Sequence, residues 1–505
     1  MQKIVWCMVV GFGMLSAGAA WGDDPSVTIY NQNFGVVRET IPLDLKQGVN
    51  QLSYSGGSAH IEPDSVILRD PMGKRQLQIL EQNYRADPVS QLLLLSLNEG
   101  KTIDFVTTRG DQQVVVQGRI IRSGYVPHYA AQRQYGPEYM MAQSAYAQGP
   151  AGESIIEVDG KLRFGLPGQP LFPALPDDTI LKPTLTWVLN SDSAGPLNAE
   201  LGYVTGGMSW EASYNLIAPK GGDTLDIVGW VTMDNQTGKT FQNAHIKLMA
   251  GSVSKLTRAG ARNEMAMRLA YGGDMDGRPP AVTEKAFDEY HLYTLQNPST
   301  LRDRETKQVE FIRANGVKAA RFYVYDGVLL NKDQYRGYPA DQLMQQREYG
   351  TQSKTQVWVM REIKNTKESG LGIPLPAGRT RFYQRDDDGH LEFTGENTIN
   401  HTPRDETVRV YTGDAFDLVG DRKRTQFNIS NDQHWVDETF EITLRNRKEE
   451  PAEIRVVERL YRGKNWEIRQ PSDPFVKMDS QTIEFRVKPN PGEEKKVTYQ
   501  VHYTW

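Results

Sequence analysis

Turn residues that recur at short intervals are the feature that most constrains the fold of this chain. Between Leu371 and Asp417, a stop containing Gly or Pro follows each short stretch of roughly eight to twelve residues, which is typical of a β-sandwich. Helical periodicity is nearly absent elsewhere, and the 45 glycines and 27 prolines suit many turns. The sequence therefore predicts an all-β fold with several tandem β-sandwich, immunoglobulin-like domains, long polar loop insertions and little helix.

The first 22 residues have the composition of a secretory signal. Met1–Gly22 carries one basic residue, Lys3, then an apolar run from Ile4 to Leu15 and small residues before Asp23. That run is too short to span a bilayer stably, and the small residues suit signal peptidase. An uncleaved anchor would need a longer apolar run. We expect cleavage after Gly22 and a periplasmic or secreted protein.

Cysteine usage and charge exclude several classes of site. The single cysteine, Cys7, lies inside the signal, so the mature chain has no disulfide, cysteine zinc site or cysteine nucleophile. A lipoprotein would need its cysteine at the cleavage point. Loss of Lys3 takes the net charge from −5 to −6, which favours neither nucleic acid nor an anionic membrane. We expect no transmembrane segment in the mature chain.

The length of the mature chain requires several hydrophobic cores. The sequence predicts a signal peptide at 1–22, an N-terminal β domain at 23–165, a middle β-sandwich region at 166–370 and a C-terminal β-sandwich at 371–505. Within the second segment, the run Leu92–Leu97 is continuously apolar and predicts a strand buried on both faces.

Three polar insertions interrupt the strand pattern. They are a Tyr- and Gln-rich tract at 123–152, which separates two strands of a predicted hairpin, and segments near 256–283 and 330–353. The tyrosines of the first tract suit adaptable binding, because Tyr gives contact area at low entropy cost. A poorly ordered insertion with no partner is the alternative.

A repeated arrangement occurs three times, in which an alternating strand ends in Asn, a charged turn follows and another strand begins. The pairs are Val228–Asn235 with Ala244–Leu248, Val357–Asn365 with Gly372–Leu375, and Phe440–Asn446 with Ala452–Val457. Asn tolerates left-handed turns and bonds to its own backbone, so turn chemistry alone can produce this likeness. Repeated sandwiches and a common hairpin turn both remain open.

Two groups of side chains invite a chemical interpretation. Asp386–Asp388, followed by Gly389, could offer carboxylates to calcium, but the spacing is not that of an EF-hand and a D-G hairpin turn explains it better. Glu289 and His291 share one face of a predicted strand, where they form either an acid/base pair or a structural hydrogen bond.

No catalytic set can be assigned from the remaining polar residues. Glu396 and His401 suggest a similar pair, but neither an H-E-x-x-H nor a G-x-S-x-G motif occurs, and there is no P-loop or dinucleotide fingerprint. We therefore assign no catalytic, cofactor-binding or metal-binding residue and expect no cofactor. A pair of glycosidase carboxylates is defined in space rather than in sequence, so it stays open.

A resemblance to a known family covers much of the chain. The strings IPLPAG, RTRFYQ, GHLEFTGE and VRVYTGDAFDLVGDR within 373–422, together with FEITLRNRKEEPAEIRVVE at 440–458 and TYQVHYTW at 498–505, resemble the bacterial DUF4139 domain. YVTGGMSWEA at 203–212 and GWVTMDNQTGKTFQNAHIKLMAG at 229–251 extend the resemblance over most of 200–505. It implies a β-rich exported protein and no particular activity.

These observations favour a non-enzymatic exported protein that binds an envelope protein or polysaccharide through loops on rigid sheets. One alternative is a secreted polysaccharide or cell-wall hydrolase that uses a carboxylate pair in an aromatic cleft. Another is a structural assembly subunit that donates or accepts strands.

Overall fold

The computed structural model shows a chain built almost entirely of β-strands, as predicted. It describes residues 24–86, 88–125, 154–173, 175, 179–219, 222–251, 282–287, 290–331, 333–430, 432 and 434–505. The predicted signal, most of the Tyr- and Gln-rich insertion and nearly all of the 256–283 insertion lie outside these residues. The described residues form two compact units, the first within 24–209, 234–251 and 297–306 and the second within 210–233, 282–296 and 307–505.

The first half of the chain contains fifteen strands and one short α-helix among its described residues. In chain order they are β1 (Ser26–Tyr30), β2 (Phe34–Leu45), β3 (Gly48–Tyr54), β4 (Ile67–Arg69), β5 (Leu77–Arg85), α1 (Gln91–Leu97), β6 (Thr102–Arg109), β7 (Gln112–Arg122), β8 (Ile155–Val158), β9 (Lys161–Phe164), β10 (Gln169–Leu171), β11 (Thr184–Ser191), β12 (Gly195–Gly206), β13 (Met208–Ala218), β14 (Thr224–Asn235) and β15 (Phe241–Ala250).

The second half continues with fourteen strands and one α-helix in the part that the structure describes. They are β16 (Val282–Phe287), β17 (Tyr290–Leu295), β18 (Ser299–Leu301), β19 (Glu305–Tyr325), α2 (Ala340–Gln345), β20 (Gln356–Lys364), β21 (Gly378–Arg385), β22 (Leu391–Ile399), β23 (Thr407–Ser430), β24 (Trp435–Asn446), β25 (Ile454–Arg459), β26 (Trp466–Arg469), β27 (Phe475–Lys477), β28 (Thr482–Val487) and β29 (Glu494–Thr504).

The first unit contains three sheets. One runs in the order β15-β1-β2-β12-β4, with β1 and β15 parallel. A second has the order β10-β6-β7-β8-β9, and a third has the order β3-β11-β5. In the second sheet β7 pairs with β8, for example Arg119 with Glu157. This pairing confirms that the Tyr- and Gln-rich tract is inserted between two strands of one hairpin.

The prediction of a buried strand at Leu92–Leu97 is wrong, because this segment forms α1. The Ser90 side chain caps the helix by accepting the N–H of Leu93, and leucine has a high helix propensity. Leu95 is fully buried, whereas Leu92 and Leu97 are exposed. The segment is therefore a helix that buries Leu95 and leaves Leu92 and Leu97 in solvent, rather than a strand buried on both faces.

The second unit is dominated by one long ladder of strands. Its order is β22-β21-β13-β14-β19-β20-β23-β24-β29-β26, and β25, β27 and β28 join it through β19. Most neighbours with a stated register are antiparallel, but β13 pairs in parallel with β21, and β19 pairs in parallel with β25. The core at the C-terminal end forms where β24 and β29 alternate, with Val436, Phe440 and Ile442 on the same side as Val497 and Val501.

The three asparagines of the repeated arrangement have a common role. Asn235, Asn365 and Asn446 are fully buried at or just after the end of a strand. Their Nδ2 atoms donate to the carbonyls of Lys239, Leu301 and Arg302, of Ile373 and Pro403, and of Glu450, Pro489 and Asn490, respectively. Each side chain therefore joins its own turn to a second segment. The three sites therefore share one pattern of turn contacts.

The repeated arrangement fails in one detail. After Asn365 the segment Gly372–Leu375 makes an isolated bridge, Leu375 to Thr402, instead of a strand. Gly372 there has a φ of 76°, a left-handed conformation that breaks an extended run. The strand predicted at this position is therefore absent.

Candidate functional site

A cleft of about 330 Å³ opens within the second unit. This volume is at the lower end of the roughly 300–1,000 Å³ that small-ligand sites occupy. Strands β19 to β23 supply most of its walls, and the turn after β24 adds a lysine. Its lining residues include Arg321, Tyr323, Val359, Arg361, Phe382, Tyr383, Thr394, Asp414, Phe416, Asp417 and Lys448.

The floor of the cleft follows from the register of β19 and β20. Arg321 lies directly opposite Arg361, and Tyr323 lies opposite Val359. Because alternate residues of a strand point to the same face, all four side chains line one side of the sheet. Two like charges opposite each other destabilise a sheet. The cleft is therefore built around an unfavourable pair of arginines.

The two arginines are compensated in different ways. Arg321 forms an ion pair with Glu450 at 2.9 Å, and Lys448 approaches the same carboxylate at 3.1 Å. Arg361 is only 8% exposed, and its Nη1 donates to the carbonyls of Gly222 and Ala319 at 3.2 and 3.3 Å. Burial lowers the pKa of Arg361, and the charge of Arg321 lowers it further.

Arg361 therefore has carbonyl partners but no carboxylate partner. Within the described residues no carboxylate lies within ion-pair distance of its guanidinium. The charge of Asp223 opposes the lowering of the pKa of Arg361 but forms no ion pair with it, and a buried cation without a directly bound counter-ion is costly. The cleft is consequently positive where Arg361 lines it.

A large bulge in β23 forms one wall of the cleft. Trp358 of β20 pairs with Asp414, but Gln356 pairs with Val419, so the intervening segment 415–418 faces the single residue Val357. The ladder with β24 begins only at Leu418. Ala415 and Phe416 thus belong to neither register. Bulges of this kind are frequent beside functional sites, where they redirect side chains.

Phe416 is the most exposed large apolar residue of the described chain, at 96%. Burial of a phenylalanine side chain stabilises a folded protein by about 1.5–3 kcal/mol. The exposed side chain of Phe416 does not contribute this stabilisation. Its position on the bulge places an aromatic ring at the entrance of a cleft that also contains Tyr383 and Phe382. An aromatic group at the rim of a charged cleft can contact an apolar portion of a ligand.

A second cluster of charged residues lies in the interior of the same unit. We call it the arginine–glutamate cluster; it consists of Arg422, Arg424, Glu438, Glu458 and Arg462, with both glutamates 0% exposed. Three cations face two carboxylates, and distances of 2.9 Å join each arginine to a glutamate. Tyr499 also donates to Glu458 at 2.5 Å.

This cluster holds the insertion at 330–353 in place. Nη1 of Arg462 donates to the carbonyls of Leu343 and Met344 at 2.9 and 3.0 Å, and its Nη2 donates to the carbonyl of Tyr349 at 3.2 Å. Arg422 donates to the carbonyl of Gly350 at 2.9 Å. These bonds satisfy backbone acceptors of the insertion, so the role of the cluster is to fix it to the sandwich.

The acidic turn Asp386–Asp388 forms the predicted hairpin between β21 and β22. The N–H of Asp386 donates to the carbonyl of His390, and Gly389 has a φ of 84°. The Asp388 carboxylate accepts the N–H of His390 at 2.9 Å and lies 3.0 Å from the His390 ring. The D-G turn is therefore confirmed, and in the described part of the chain no group of three or more metal-ligating residues occurs.

The histidines singled out from the sequence have mainly structural surroundings. Glu289, the proposed partner of His291, lies outside the described residues. Nδ1 of His401 accepts the N–H of Ala377 at 3.1 Å. Partial desolvation lowers the pKa of His401, and the nearby His291 lowers it further. The structure thus places His401 beside His291.

Glu396 makes a different set of contacts. Its carboxylate lies 4.0 Å from Arg379 and 3.8 Å from Arg381. Within the described residues no hydrogen bond or ion pair joins Glu396 to His401. The pair suggested by the sequence is therefore not formed.

Sequence reasoning missed both charged groups, and a signal was present only for the arginine–glutamate cluster. Alternate residues of β24 point to the same face, and on one face these are Val436, Glu438, Phe440, Ile442 and Leu444. This alternation places Glu438 on the apolar face. Glu458 in β25 and Arg422 in β23 have the same relation to their apolar neighbours. The opposition of Arg321 and Arg361 depends on register, which the sequence does not specify.

Comparison with known proteins gives a family. A search among curated proteins finds no match. The family model described as "Domain of unknown function (DUF4139)" matches residues 199–505. In the described residues no helix is long and apolar enough to cross a membrane. The match covers more than half of the sequence and confirms the resemblance, and the chain therefore belongs to the DUF4139 family.

Proposed function

We propose that this chain is an exported, non-enzymatic binding protein and that it recognises an envelope or extracellular partner at the cleft of its second unit. The observation that carries the proposal is the combination of an almost fully exposed Phe416 with a cleft whose buried Arg361 lacks a carboxylate partner. Both features cost stability in the free protein. A ligand that covered the ring and approached the guanidinium would offset both costs.

The bulge of β23 supports this assignment. It turns the segment 415–417 out of the ladder between β20 and β23, while the strands on both sides remain paired. A recognition segment on a rigid sheet loses little conformational entropy on binding. Support for export comes from the composition of residues 1–22, which is that of a secretory signal.

Site-specific crosslinking tests binding at the cleft. The photoreactive residue p-benzoylphenylalanine would replace Phe416 in the chain expressed in its native envelope, and replacement of Phe164 serves as the matched control. Phe164 is also exposed, at 60%, but lies on β9 in the first unit. We expect a discrete crosslinked species from position 416 only. Equal labelling from both positions, or none from either, would contradict the proposal.

One observation favours the hydrolase alternative. Asp414 and Asp417 both line the aromatic cleft, and paired carboxylates in such a cleft are the requirement for glycoside hydrolysis. Oδ1 of Asp414 accepts the hydroxyl of Tyr411 at 2.9 Å. The test is product analysis with cell-wall polysaccharides, comparing the unmodified chain with the variant D414N/D417N. Products that disappear in the variant would establish the hydrolase and overturn the non-enzymatic assignment.

A further inference from the structure

The geometry points to a peptide carboxylate as the group that the cleft binds, presented by an acidic residue of an extended segment in the partner. This inference rests on the proposed function, because it specifies the ligand of the same site. Three observations carry it: the ion pairs that occupy the other cations of the cleft, the position of Arg361 and the bulge segment that lies outside both ladder registers.

One cation of the cleft, Arg361, favours an anion. Arg321, Arg361 and Lys448 line it together with two carboxylates, those of Asp414 and Asp417. Glu450 serves both Arg321 and Lys448, at 2.9 and 3.1 Å. Arg361 is left without an ion pair among the described residues. An anionic ligand could thus bind the guanidinium of Arg361 without displacing a carboxylate from it.

A carboxylate suits this position better than a neutral group. The guanidinium is planar and presents paired N–H donors that match two carboxylate oxygens. Arg361 uses Nη1 for the carbonyls of Gly222 and Ala319, which hold the side chain before any ligand arrives. A negative charge there would also reduce the repulsion between Arg321 and Arg361, which lie opposite each other across the ladder. Preorganisation and charge therefore favour the same ligand.

The backbone of the bulge favours a peptide over a polysaccharide. Ala415 and Phe416 have no partner in the ladder with β20 or in the ladder with β24. Peptide groups outside a ladder are available to an extended chain, which pairs through its own N–H and C=O groups. The exposed ring of Phe416 then offers a contact for an apolar side chain next to the acidic residue.

Two matched peptides test this inference by calorimetry with the mature chain. One is an acetylated and amidated five-residue peptide with a central glutamate between two phenylalanines, and the other has glutamine in place of the glutamate. We expect the glutamate peptide to bind at least tenfold more tightly. The variant Arg361→Gln should reduce its affinity to that of the glutamine peptide.

Three controls make the result specific. Arg379→Gln removes an arginine from β21 whose side chain is 55% exposed and which does not line the cleft, so it should leave the binding unchanged. Arg361→Lys keeps the charge but not the paired donors, and it should bind with intermediate affinity. It also provides a folded variant if Arg361→Gln does not fold. Polygalacturonate supplies carboxylates on a polysaccharide.

The outcomes separate this inference from the proposed function. Equal affinity for the two peptides, or no binding of either, would overturn the peptide carboxylate. Binding of polygalacturonate that depends on Arg361, without binding of the glutamate peptide, would overturn the peptide and retain the cleft. A partner crosslinked at position 416 whose capture is unaffected by Arg361→Gln would leave the proposed function standing and refute the inference alone.

Discussion

Arg422 lies 2.9 Å from Glu458, and the two side chains are only 1% and 0% exposed. The guanidinium also stacks 3.8 Å from the centroid of Phe440. Burial raises the pKa of Tyr499, the Glu458 carboxylate raises it further, and the phenol accordingly remains a donor to that carboxylate. Nε and Nη1 of Arg422 are hydrogen-bonded, to Glu458 and to the carbonyl of Gly350, whereas its buried Nη2 has no hydrogen-bond partner among the described residues. Extensive hydrogen bonding is the condition under which a buried ion pair is tolerated.

Removal of one partner of this pair should be strongly destabilising. Glu458→Gln keeps the size of the side chain but leaves Arg422 as a buried cation without a counter-ion. Breaking a buried pair in this way costs roughly 3–5 kcal/mol. The measurement is hydrogen exchange of the segment 435–446 at increasing denaturant concentration.

Two variants control for this effect. Glu467→Gln removes a surface partner of Arg469, with side chains 64% and 41% exposed, and should change the stability by less than about 1 kcal/mol. Replacement of both Arg422 and Glu458 by methionine removes the charges together and should restore most of the loss. A Glu458→Gln variant as stable as the surface control would refute the role assigned to the pair.

Arg462 should control the order of the insertion rather than the core. Arg462→Met removes the donors to the carbonyls of Leu343, Met344 and Tyr349. We expect faster amide exchange in the segment 343–350 and faster tryptic cleavage after Arg347, which lies between the clamped carbonyls. Exchange should rise less in β29. Uniform loss of protection in both segments would mean that Arg462 supports the whole sandwich instead.

The strand pattern could be predicted because burial on one face of a sheet leaves a period of two in the sequence. In β24 this period is unbroken from Trp435 to Asn446. The Leu92–Leu97 run misled the prediction, since a short apolar run has no period that separates a strand from a helix. The cleft could not be predicted from the sequence for a different reason. It depends on the opposition of Arg321 and Arg361 and on the register shift near Val357, which form only when strands distant in sequence are paired.

Acidification should destabilise the second unit through His401. The pKa of His401 in the folded protein lies below its ordinary value of 6.5. Between the folded and the unfolded pKa, the unfolded chain therefore binds more protons than the folded chain. The free energy of unfolding consequently decreases as the pH falls through this range. Protonation also removes the lone pair that accepts the N–H of Ala377. Urea midpoints at pH 7.5 and 5.5 should differ less for His401→Gln than for the unmodified chain. An identical pH dependence in both proteins would exclude His401 as the source.

Replacing Phe416 should separate binding from folding. The ring is 96% exposed, so Phe416→Ser removes almost no buried surface and should change the stability by less than about 0.5 kcal/mol. Binding of a ligand that packs on the ring should nevertheless weaken. Phe440→Ser, by contrast, removes a fully buried ring that stacks on Arg422 and should cost at least about 3 kcal/mol, as truncation of a core phenylalanine does. Thermal unfolding and peptide calorimetry on the same preparations measure both quantities. A Phe416→Ser protein that is clearly less stable would show that the exposed ring contributes to the fold, and one that binds the glutamate peptide as tightly as before would show that the ring has no role in recognition.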